Sequence, residues 1–128
     1  MRLEHTAIWT RDLERLRAFY ERYFGAAPSP LYQSHTRIGF TSRFLTFPDK
    51  GARLELMSIA ELSAAPAGAG VGYAHLAVAV GSRAAVDALT ARMRDDGVHV
   101  VGLPRETGDG YYESVVKDPD GNMVEITV

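Results

Sequence analysis

Several absences limit what this chain of 128 residues can be. It contains no cysteine, which excludes disulfide bonds, thiolate metal ligands and cysteine nucleophiles. It has no apolar run long enough to cross a membrane, and its first residues show no secretory signal pattern, so we expect a cytoplasmic protein. The formal net charge is only −2 and no block of basic residues is present, so neither nucleic acid nor a membrane surface is an expected partner.

A short motif occurs twice, seventy residues apart. His5-Thr-Ala-Ile-Trp returns as His75-Leu-Ala-Val-Ala, and Arg53-Leu-Glu-Leu returns as Met123-Val-Glu-Ile at the same offset of 70 residues. Each copy begins with a histidine strand and ends with a glutamate strand. A pseudo-two-fold axis relating the copies would bring two histidines and two glutamates together.

The duplication includes the turns. Pro48-Asp-Lys-Gly51 corresponds to Asp118-Pro-Asp-Gly121, and each turn precedes a glutamate strand. Residues 63–72 are mostly small and have no apolar period, which predicts a linker between repeats of about 1–62 and 73–128. We therefore interpret residues 1–128 as one domain made of two fused half-domains. A chain of this length with 46% hydrophobic residues can form a single core.

Each half predicts the order βαβββ. Asp12 is a good N-cap and Gly25 a good C-terminal cap for the first helix, and Gly97 is a stop for the second. Pro28 and Pro30 break the chain after the first helix into short extended segments. The predicted elements are strands at Leu3–Thr10, Thr36–Phe47, Arg53–Met57, Tyr73–Val80, Val98–Gly102, Tyr111–Lys117 and Met123–Val128, helices at Asp12–Phe24 and Ser82–Asp96, and a loop at Pro104–Gly110.

Strand parity predicts where the two glutamates point. Leucines flank Glu55, and Val124 and Ile126 flank Glu125, so each carboxylate faces away from the apolar side of its strand. If the apolar sides pack against the helices, both carboxylates lie on the open face of a curved sheet. The two histidine strands can contribute to that same face.

Four side chains at matched positions suggest a metal site. One strand histidine is more often structural than a ligand, and one glutamate beside apolar residues is usually solvated. The matched set His5, Glu55, His75 and Glu125 instead favours a site for one divalent ion. Zn, Ni, Co, Mn and Fe(II) all accept imidazole and carboxylate ligands, so the residues do not select among them.

These motifs resemble the vicinal oxygen chelate superfamily over essentially the whole chain. The resemblance rests on the duplication, on His5-Thr-Ala-Ile followed by Asp12-Leu and Phe19-Tyr20, and on Asp118-Pro-Asp-Gly-Asn-Met-Val-Glu125. The superfamily includes glyoxalase I, extradiol dioxygenases, fosfomycin-resistance enzymes, methylmalonyl-CoA epimerase and bleomycin-binding proteins. It implies an α+β fold in which two tandem βαβββ modules form curved sheets around a metal site.

The ligand set is closest to that of glyoxalase I. The resemblance implies a lactoylglutathione-lyase-like isomerase in which a small α-oxo or hydroxy-carbonyl substrate chelates the metal through two neighbouring oxygens. Glu125 would be the mobile catalytic base, and Glu55 its counterpart in ligation and reverse proton transfer. A homodimer is expected, with the site between half-domains of one subunit or of two.

Two other classes of function stay open. Extradiol dioxygenases and fosfomycin-type thiol transferases generally use three protein ligands, and epimerases generally carry glutamine where this chain has Glu55. A non-catalytic, bleomycin-type binding protein would lack the four-residue set. Oxygen consumption with a catechol would identify a dioxygenase, and tight ligand binding unaffected by a chelator would identify a binding protein.

Other positions bear on the substrate. Bacterial glyoxalase I usually has an arginine where this chain has Trp9, and Leu56-Met-Ser-Ile59 replaces the usual Leu-Thr-x-Asn. These departures indicate either a substrate other than a glutathione adduct or an altered mode of thiol binding. Trp9 is interpreted as a pocket wall or as dimer-interface packing. In the next loop, Arg105 can meet an anionic group and Tyr111 or Tyr112 can donate a hydroxyl, unless the loop is an ordinary surface hairpin.

Overall fold

The computed structural model describes residues 1–63 and 70–128, so most of the predicted linker at 63–72 lies outside the described residues. The architecture is α+β and divides into two compact units, Met1–Ala65 and Pro66–Val128. Each unit contains one helix and one mainly antiparallel sheet. Neither described helix is both long and apolar enough to cross a membrane.

The first unit has a five-stranded sheet in the order β1-β5-β4-β2, with β3 also paired to β4. Strand β1 runs parallel to β5, and the other pairs are antiparallel. Its elements are β1 (His5–Trp9), α1 (Leu13–Phe24), β2 (Ala27–Pro28), β3 (Tyr32–Gln33), β4 (Thr41–Thr46) and β5 (Arg53–Ser58).

The second unit has a four-stranded sheet in the order β6-β9-β8-β7, with β6 parallel to β9. It repeats the first unit, except that one continuous strand, β7, stands where the first unit has the two short strands β2 and β3. Its elements are β6 (His75–Ala79), α2 (Arg83–Asp95), β7 (Val100–Glu106), β8 (Tyr112–Lys117) and β9 (Met123–Thr127).

The predicted helix ends are confirmed. The side chain of Asp12 accepts a hydrogen bond from the backbone N–H of Arg15 at 2.9 Å, and Gly25 ends α1 in the left-handed region with φ 64°. Ser82 caps α2 in the same way, accepting from the backbone N–H of Ala85 at 3.2 Å. These local hydrogen bonds satisfy N–H groups that the first helical turn leaves without partners.

Each unit buries the apolar side of its sheet against its own helix. The alternation that the sequence predicts around the two glutamates is therefore confirmed: their strand neighbours are buried, and the glutamates lie on the other face. The buried apolar side chains are Leu13, Leu16, Phe19, Tyr20, Phe24, Ala26, Leu45, Leu54 and Leu56 in the first unit, and Val86, Met93, Val116, Val124 and Ile126 in the second.

Two predicted boundaries were wrong. The strand expected from Thr36 begins at Thr41, because residues 34–40 fold into a loop closed by a hydrogen bond from the N–H of Ser34 to the carbonyl of Phe40 at 3.0 Å. The loop expected at Pro104–Gly110 begins later, because residues 104–106 belong to β7 and residues 107–110 form the loop. That strand pairs only with β8 and shifts register around the proline, so the missing N–H of proline costs no sheet hydrogen bond.

Candidate metal centre

In the first unit, His5 and Glu55 project from neighbouring parallel strands. Glu55 lies opposite Ala7, two residues beyond His5, so the imidazole and the carboxylate share one face of the sheet. Nε2 of His5 lies 3.8 Å from a carboxylate oxygen of Glu55. The histidine side chain is 39% exposed and the glutamate 15%, so a shielded carboxylate lies beside an accessible ring nitrogen.

The second unit repeats this arrangement. Glu125 lies opposite Ala77, two residues beyond His75, and Nε2 of His75 is 3.2 Å from a carboxylate oxygen of Glu125. The same ring nitrogen therefore faces the glutamate in both units. The methyl side chains of Ala7 and Ala77 are the smallest that still have a Cβ, so they leave space beside each pair.

The donor chemistry of each pair fits a divalent cation. Imidazole nitrogen and carboxylate oxygen bind such ions at about 2.0–2.2 Å, which places neighbouring ligand atoms about 3 Å apart. The separation of 3.2 Å in the second unit is close to that value, and the 3.8 Å in the first unit is longer. Within residues 1–63 and 70–128, no three His, Cys, Asp or Glu side chains form a ready metal-binding group, so each unit offers two ligands of the predicted four.

A set of side chains holds the ring of His5 in place. Glu4 accepts a hydrogen bond from Nδ1 of His5 and also binds the guanidinium of Arg53. Arg53 lies over the ring of Phe44 at 4.1 Å from its centroid, and the Phe44 ring meets the His5 ring edge-on at 5.3 Å between centroids. These four residues form a closed circuit of contacts on the open face.

The circuit determines which nitrogen of His5 can bind a metal. The hydrogen bonds from His5 and then from Arg53 hold the pKa of Glu4 below its usual value, so Glu4 is a carboxylate and can only accept. Nδ1 therefore carries a hydrogen, and Nε2 is the nitrogen that faces Glu55 and would bind a metal.

The second unit has no such circuit. Ala74 precedes His75, and Met123 lies opposite it on β9, at the positions of Glu4 and Arg53. Val115 lies opposite Glu125, where the first unit has the aromatic ring. Ala74, Met123 and Val115 are all apolar. The two units therefore share the His–Glu pair but differ in the side chains that contact the histidine ring. Matched repeat positions led to the ligand candidates, whereas nothing in the repeat pattern singles out Glu4, whose counterpart is Ala74.

Trp9 lies on the same face of β1 as His5 and is 42% exposed. Its ring meets that of Phe40 edge-on at 6.1 Å between centroids, and the guanidinium of Arg37 lies 5.5 Å from its centroid. Sequence reasoning singled out Trp9 but not its two neighbours, which come from the loop that was predicted to be a strand.

The residues predicted around the 105–112 loop lie in different places. Arg105 on β7 is 3.6 Å from the carboxylate of Glu113 on β8. Tyr111 is exposed before β8 begins. The hydroxyl of Tyr112 donates to Asp87 on α2 at 2.7 Å, and this hydrogen bond raises the pKa of Tyr112. Tyr112 thus lies on the helix side of its sheet, and this placement gives no support to a substrate contact.

Comparison with known proteins identifies relatives over the whole chain. The model of the Glyoxalase/Bleomycin resistance protein/Dioxygenase superfamily matches residues 2–126. The uncharacterized protein PA2024 of Pseudomonas aeruginosa is 32% identical over 128 residues, which cover 98% of this chain and 86% of the relative.

Solved structures show the same fold. Glyoxalase I from Zea mays superimposes with a TM-score of 0.79 at 24% identity, and 98% of this chain spans 44% of that protein. The trypanothione-dependent glyoxalase I of Leishmania major superimposes with a TM-score of 0.76 at 26% identity. The match covers 99% of this chain and 86% of the Leishmania major chain. With its family match and its repeated βαβββ units, the chain belongs to the Glyoxalase/Bleomycin resistance protein/Dioxygenase superfamily.

Proposed function

We propose that this chain is a metal-dependent, glyoxalase-like isomerase or lyase acting on a small α-oxo or hydroxy-carbonyl compound. Its one divalent ion, Zn, Ni, Co, Mn or Fe(II), would be held by His5, Glu55, His75 and Glu125. The observation that carries the proposal is the recurrence of the His–Glu pair, with Nε2 facing a carboxylate at 3.8 Å in one unit and 3.2 Å in the other. Both repeats keep the pair although neighbouring positions have diverged, such as Arg53 and Met123, and this retention favours a shared role for the pair.

The family by itself does not select a reaction, because its name covers glyoxalases, dioxygenases and drug-binding proteins. Each repeat has a glutamate, Glu55 or Glu125, so two carboxylates are available for proton transfer. This favours a glyoxalase-like reaction. The 26% identity to the Leishmania major glyoxalase I over most of both chains supports the same choice.

In the proposed reaction, the bound ion would supply Lewis-acid stabilisation of the oxyanion that develops on the substrate. Glu125 takes the proton from the hydroxyl-bearing carbon next to the substrate carbonyl. Glu55 takes the proton of that hydroxyl and delivers it to the former carbonyl carbon, and Glu125 then gives its proton to the oxyanion, which restores both carboxylates. Both carboxylates lie on open sheet faces, where a substrate can reach them. His5 and His75 each bring Nε2 to this face and hold their ligand positions throughout.

The surroundings of the two glutamates favour Glu125 as the mobile base. Glu55 is 15% exposed and lies opposite the ring of Phe44, whereas Glu125 is 21% exposed and lies opposite the smaller Val115. A carboxylate with fewer bulky neighbours changes rotamer at lower cost. Glu125 is therefore the better candidate to leave the metal and accept a proton.

Two further residues of the open faces contribute to substrate binding in this proposal. Trp9 provides an apolar wall on the side of His5, and Arg105 offers a guanidinium whose nearest carboxylate, on Glu113, is 3.6 Å away. The side chain of Arg105 is 60% exposed and that of Glu113 is 13% exposed, so an anionic ligand group can reach the guanidinium from the solvent side. We also propose a homodimer and a small-molecule substrate, in line with the resemblance.

The deciding experiment combines metal analysis with turnover. The protein is purified without added metal, its metal content is measured, and a chelated sample is reloaded with each candidate ion. Methylglyoxal is then supplied with several thiols or with none. We expect isomerisation that disappears with chelator and returns with metal. Oxygen uptake with a catechol would instead indicate a dioxygenase. Tight ligand binding that is unaffected by chelator and leads to no turnover would indicate a binding protein.

A further inference from the structure

The loop between β3 and β4 holds an arginine in a defined position. The N–H of Ser34 donates to the carbonyl of Phe40 at 3.0 Å, and the N–H of Phe40 donates to the carbonyl of Arg37 at 3.1 Å. The N–H of Arg37 in turn donates to the hydroxyl of Ser34 at 2.9 Å. The loop is therefore closed by its own hydrogen bonds, and the backbone of Arg37 is fixed.

The side chain of Arg37 lies on an aromatic platform. Its guanidinium carbon is 5.5 Å from the centroid of the Trp9 ring and 5.5 Å from that of the Phe40 ring, and the two rings are perpendicular to each other. These distances are within the range of cation–π attraction. Tyr32 extends the platform, with its ring centroid 6.4 Å from that of Phe40.

The charge of Arg37 is not matched by an acid. Arg17, Arg43, Arg53, Arg83, Arg94 and Arg105 each lie within 4 Å of a carboxylate. No such ion pair involves Arg37 in the described part of the chain, and the residue is exposed. Cation–π contact leaves the N–H groups at the edge of the guanidinium available to a ligand.

The rings beneath the guanidinium are also accessible. Trp9 is 42% exposed and Tyr32 is 54% exposed. Exposed aromatic area next to an unmatched cation is suited to a ligand that has a flat apolar body and one negative group. A guanidinium binds a carboxylate through two parallel hydrogen bonds, which is stronger and more directional than a single bond to a neutral amide.

We propose that Trp9, Arg37 and Phe40 form a binding site for a planar carboxylate, that is, an aromatic or conjugated acid. Its carboxylate pairs with the guanidinium of Arg37, and its flat body lies against the indole of Trp9. The site lies on the same face of β1 as His5, four residues further along the strand, or about 13 Å away at the usual strand rise. It shares Trp9 with the proposed substrate pocket but contains none of the proposed metal ligands, so it stands whether or not the metal proposal does.

The chain offers a direct reporter of this site, because Trp9 is its single tryptophan. The indole N–H gives one separate cross-peak in an NMR spectrum of the nitrogen-15-labelled protein. The protein as purified is titrated with cinnamate, a planar conjugated acid, and with cinnamamide, which has the same shape but no charge. Repeating both titrations with a chelator present separates this site from any metal.

Two variants test the role of the charge. Arg37→Gln removes the proposed partner of the carboxylate, and Arg94→Gln removes the same charge from an exposed position on α2 in the other unit. We expect saturable shifts of the indole peak with cinnamate at roughly tenfold lower concentration than with cinnamamide, as two charge-assisted hydrogen bonds suggest. Arg37→Gln should reduce cinnamate binding to the level of the amide, and Arg94→Gln should leave it unchanged.

Three results would overturn the proposal. Equal affinity for the acid and the amide would show that the ligand charge plays no part in binding. Full cinnamate binding by Arg37→Gln with a native-like spectrum would show that Arg37 is not the partner of the carboxylate. An indole peak that shifts with protein concentration but with neither ligand would show that the platform packs against a second copy of the chain.

Discussion

The carboxylate of Glu4 accepts a hydrogen bond from Nδ1 of His5, whereas Ala74 stands at the same place before His75. The two repeats therefore share the proposed ligands without sharing the side chains around them. A carboxylate behind a metal-binding imidazole fixes its tautomer and raises its basicity. In the proposed metal site, the ring of His5 would be oriented by Glu4 before metal binds, whereas Ala74 offers no such contact to the ring of His75.

Removing that orientation should weaken metal binding. We expect Glu4→Ala to lower the affinity for a divalent ion by roughly 10-fold or more, the usual effect of losing such a partner. Competition with a coloured chelator measures the affinity. Glu61→Ala, which removes an exposed carboxylate outside the helices and strands, should have no effect. Equal affinity of Glu4→Ala and the unmodified protein would contradict an orienting role.

Each of the four proposed ligands should be needed for full metal binding. Replacement of His5, Glu55, His75 or Glu125 by Ala should lower the metal content. Metal should raise the Tm of the unmodified protein but not that of the variants, because only an assembled site binds it. Elemental analysis and thermal unfolding with and without metal measure both effects. His35→Ala, in the exposed loop between β3 and β4, is the control. Full metal retention by all four variants would disprove the assignment.

Substitution of the proposed base should separate metal binding from turnover. Glu125→Gln keeps an oxygen ligand but loses basicity, so it should retain much of the metal while kcat falls by roughly 100-fold or more. Deuterium on the transferred position of the substrate should slow the unmodified protein when proton abstraction limits the rate. Near-normal turnover by Glu125→Gln would move the base role to Glu55, which the matched variant Glu55→Gln tests.

The aromatic side chain at position 9 should disfavour glutathione adducts. We expect a low kcat/KM with the glutathione hemithioacetal of methylglyoxal compared with other thiol adducts or the free dicarbonyl. Trp9→Arg should raise kcat/KM for the glutathione adduct if Trp9 lines the pocket, whereas Trp9→Phe should not. Efficient use of glutathione by the unmodified protein would contradict this prediction.

An ion-pair cluster should make the first unit slightly sensitive to acid. Glu14 on α1 accepts hydrogen bonds from Arg43 on β4 at 2.8 Å and from Arg17 at 2.6 Å, which hold its pKa below the usual value. A lowered folded-state pKa adds stability above the unfolded pKa of glutamate, and this stability is lost as the pH falls through the folded pKa.

Glu14→Gln should therefore lower the free energy of unfolding at neutral pH by less than about 1 kcal/mol, since the pair is exposed. The difference from the unmodified protein should vanish in acid, where both forms are uncharged at this position. Chemical denaturation at several pH values measures it, with Glu61→Gln as the control. A difference that stays constant down to strongly acid pH would show that packing, and not charge, is responsible.

The sequence by itself determined the features that depend on position along the chain. A repeat of 70 residues identified the ligand candidates, and the period of two in a strand placed Glu55 and Glu125 on the face opposite their apolar neighbours. Helix caps were predicted correctly because their hydrogen bonds join residues only a few positions apart, such as Asp12 and Arg15.

Only the tertiary structure decided which distant side chains meet. Arg53 reaches Glu4 because β5 pairs in parallel with β1, and no local pattern in the sequence encodes that register. Tyr112 bonds Asp87 because its strand parity turns it towards α2. Arg37 lies over Trp9 because residues 34–40 fold into a loop where the sequence predicted the start of a strand. Contacts of this kind depend on sheet pairing and packing, which a single sequence specifies only through the whole fold.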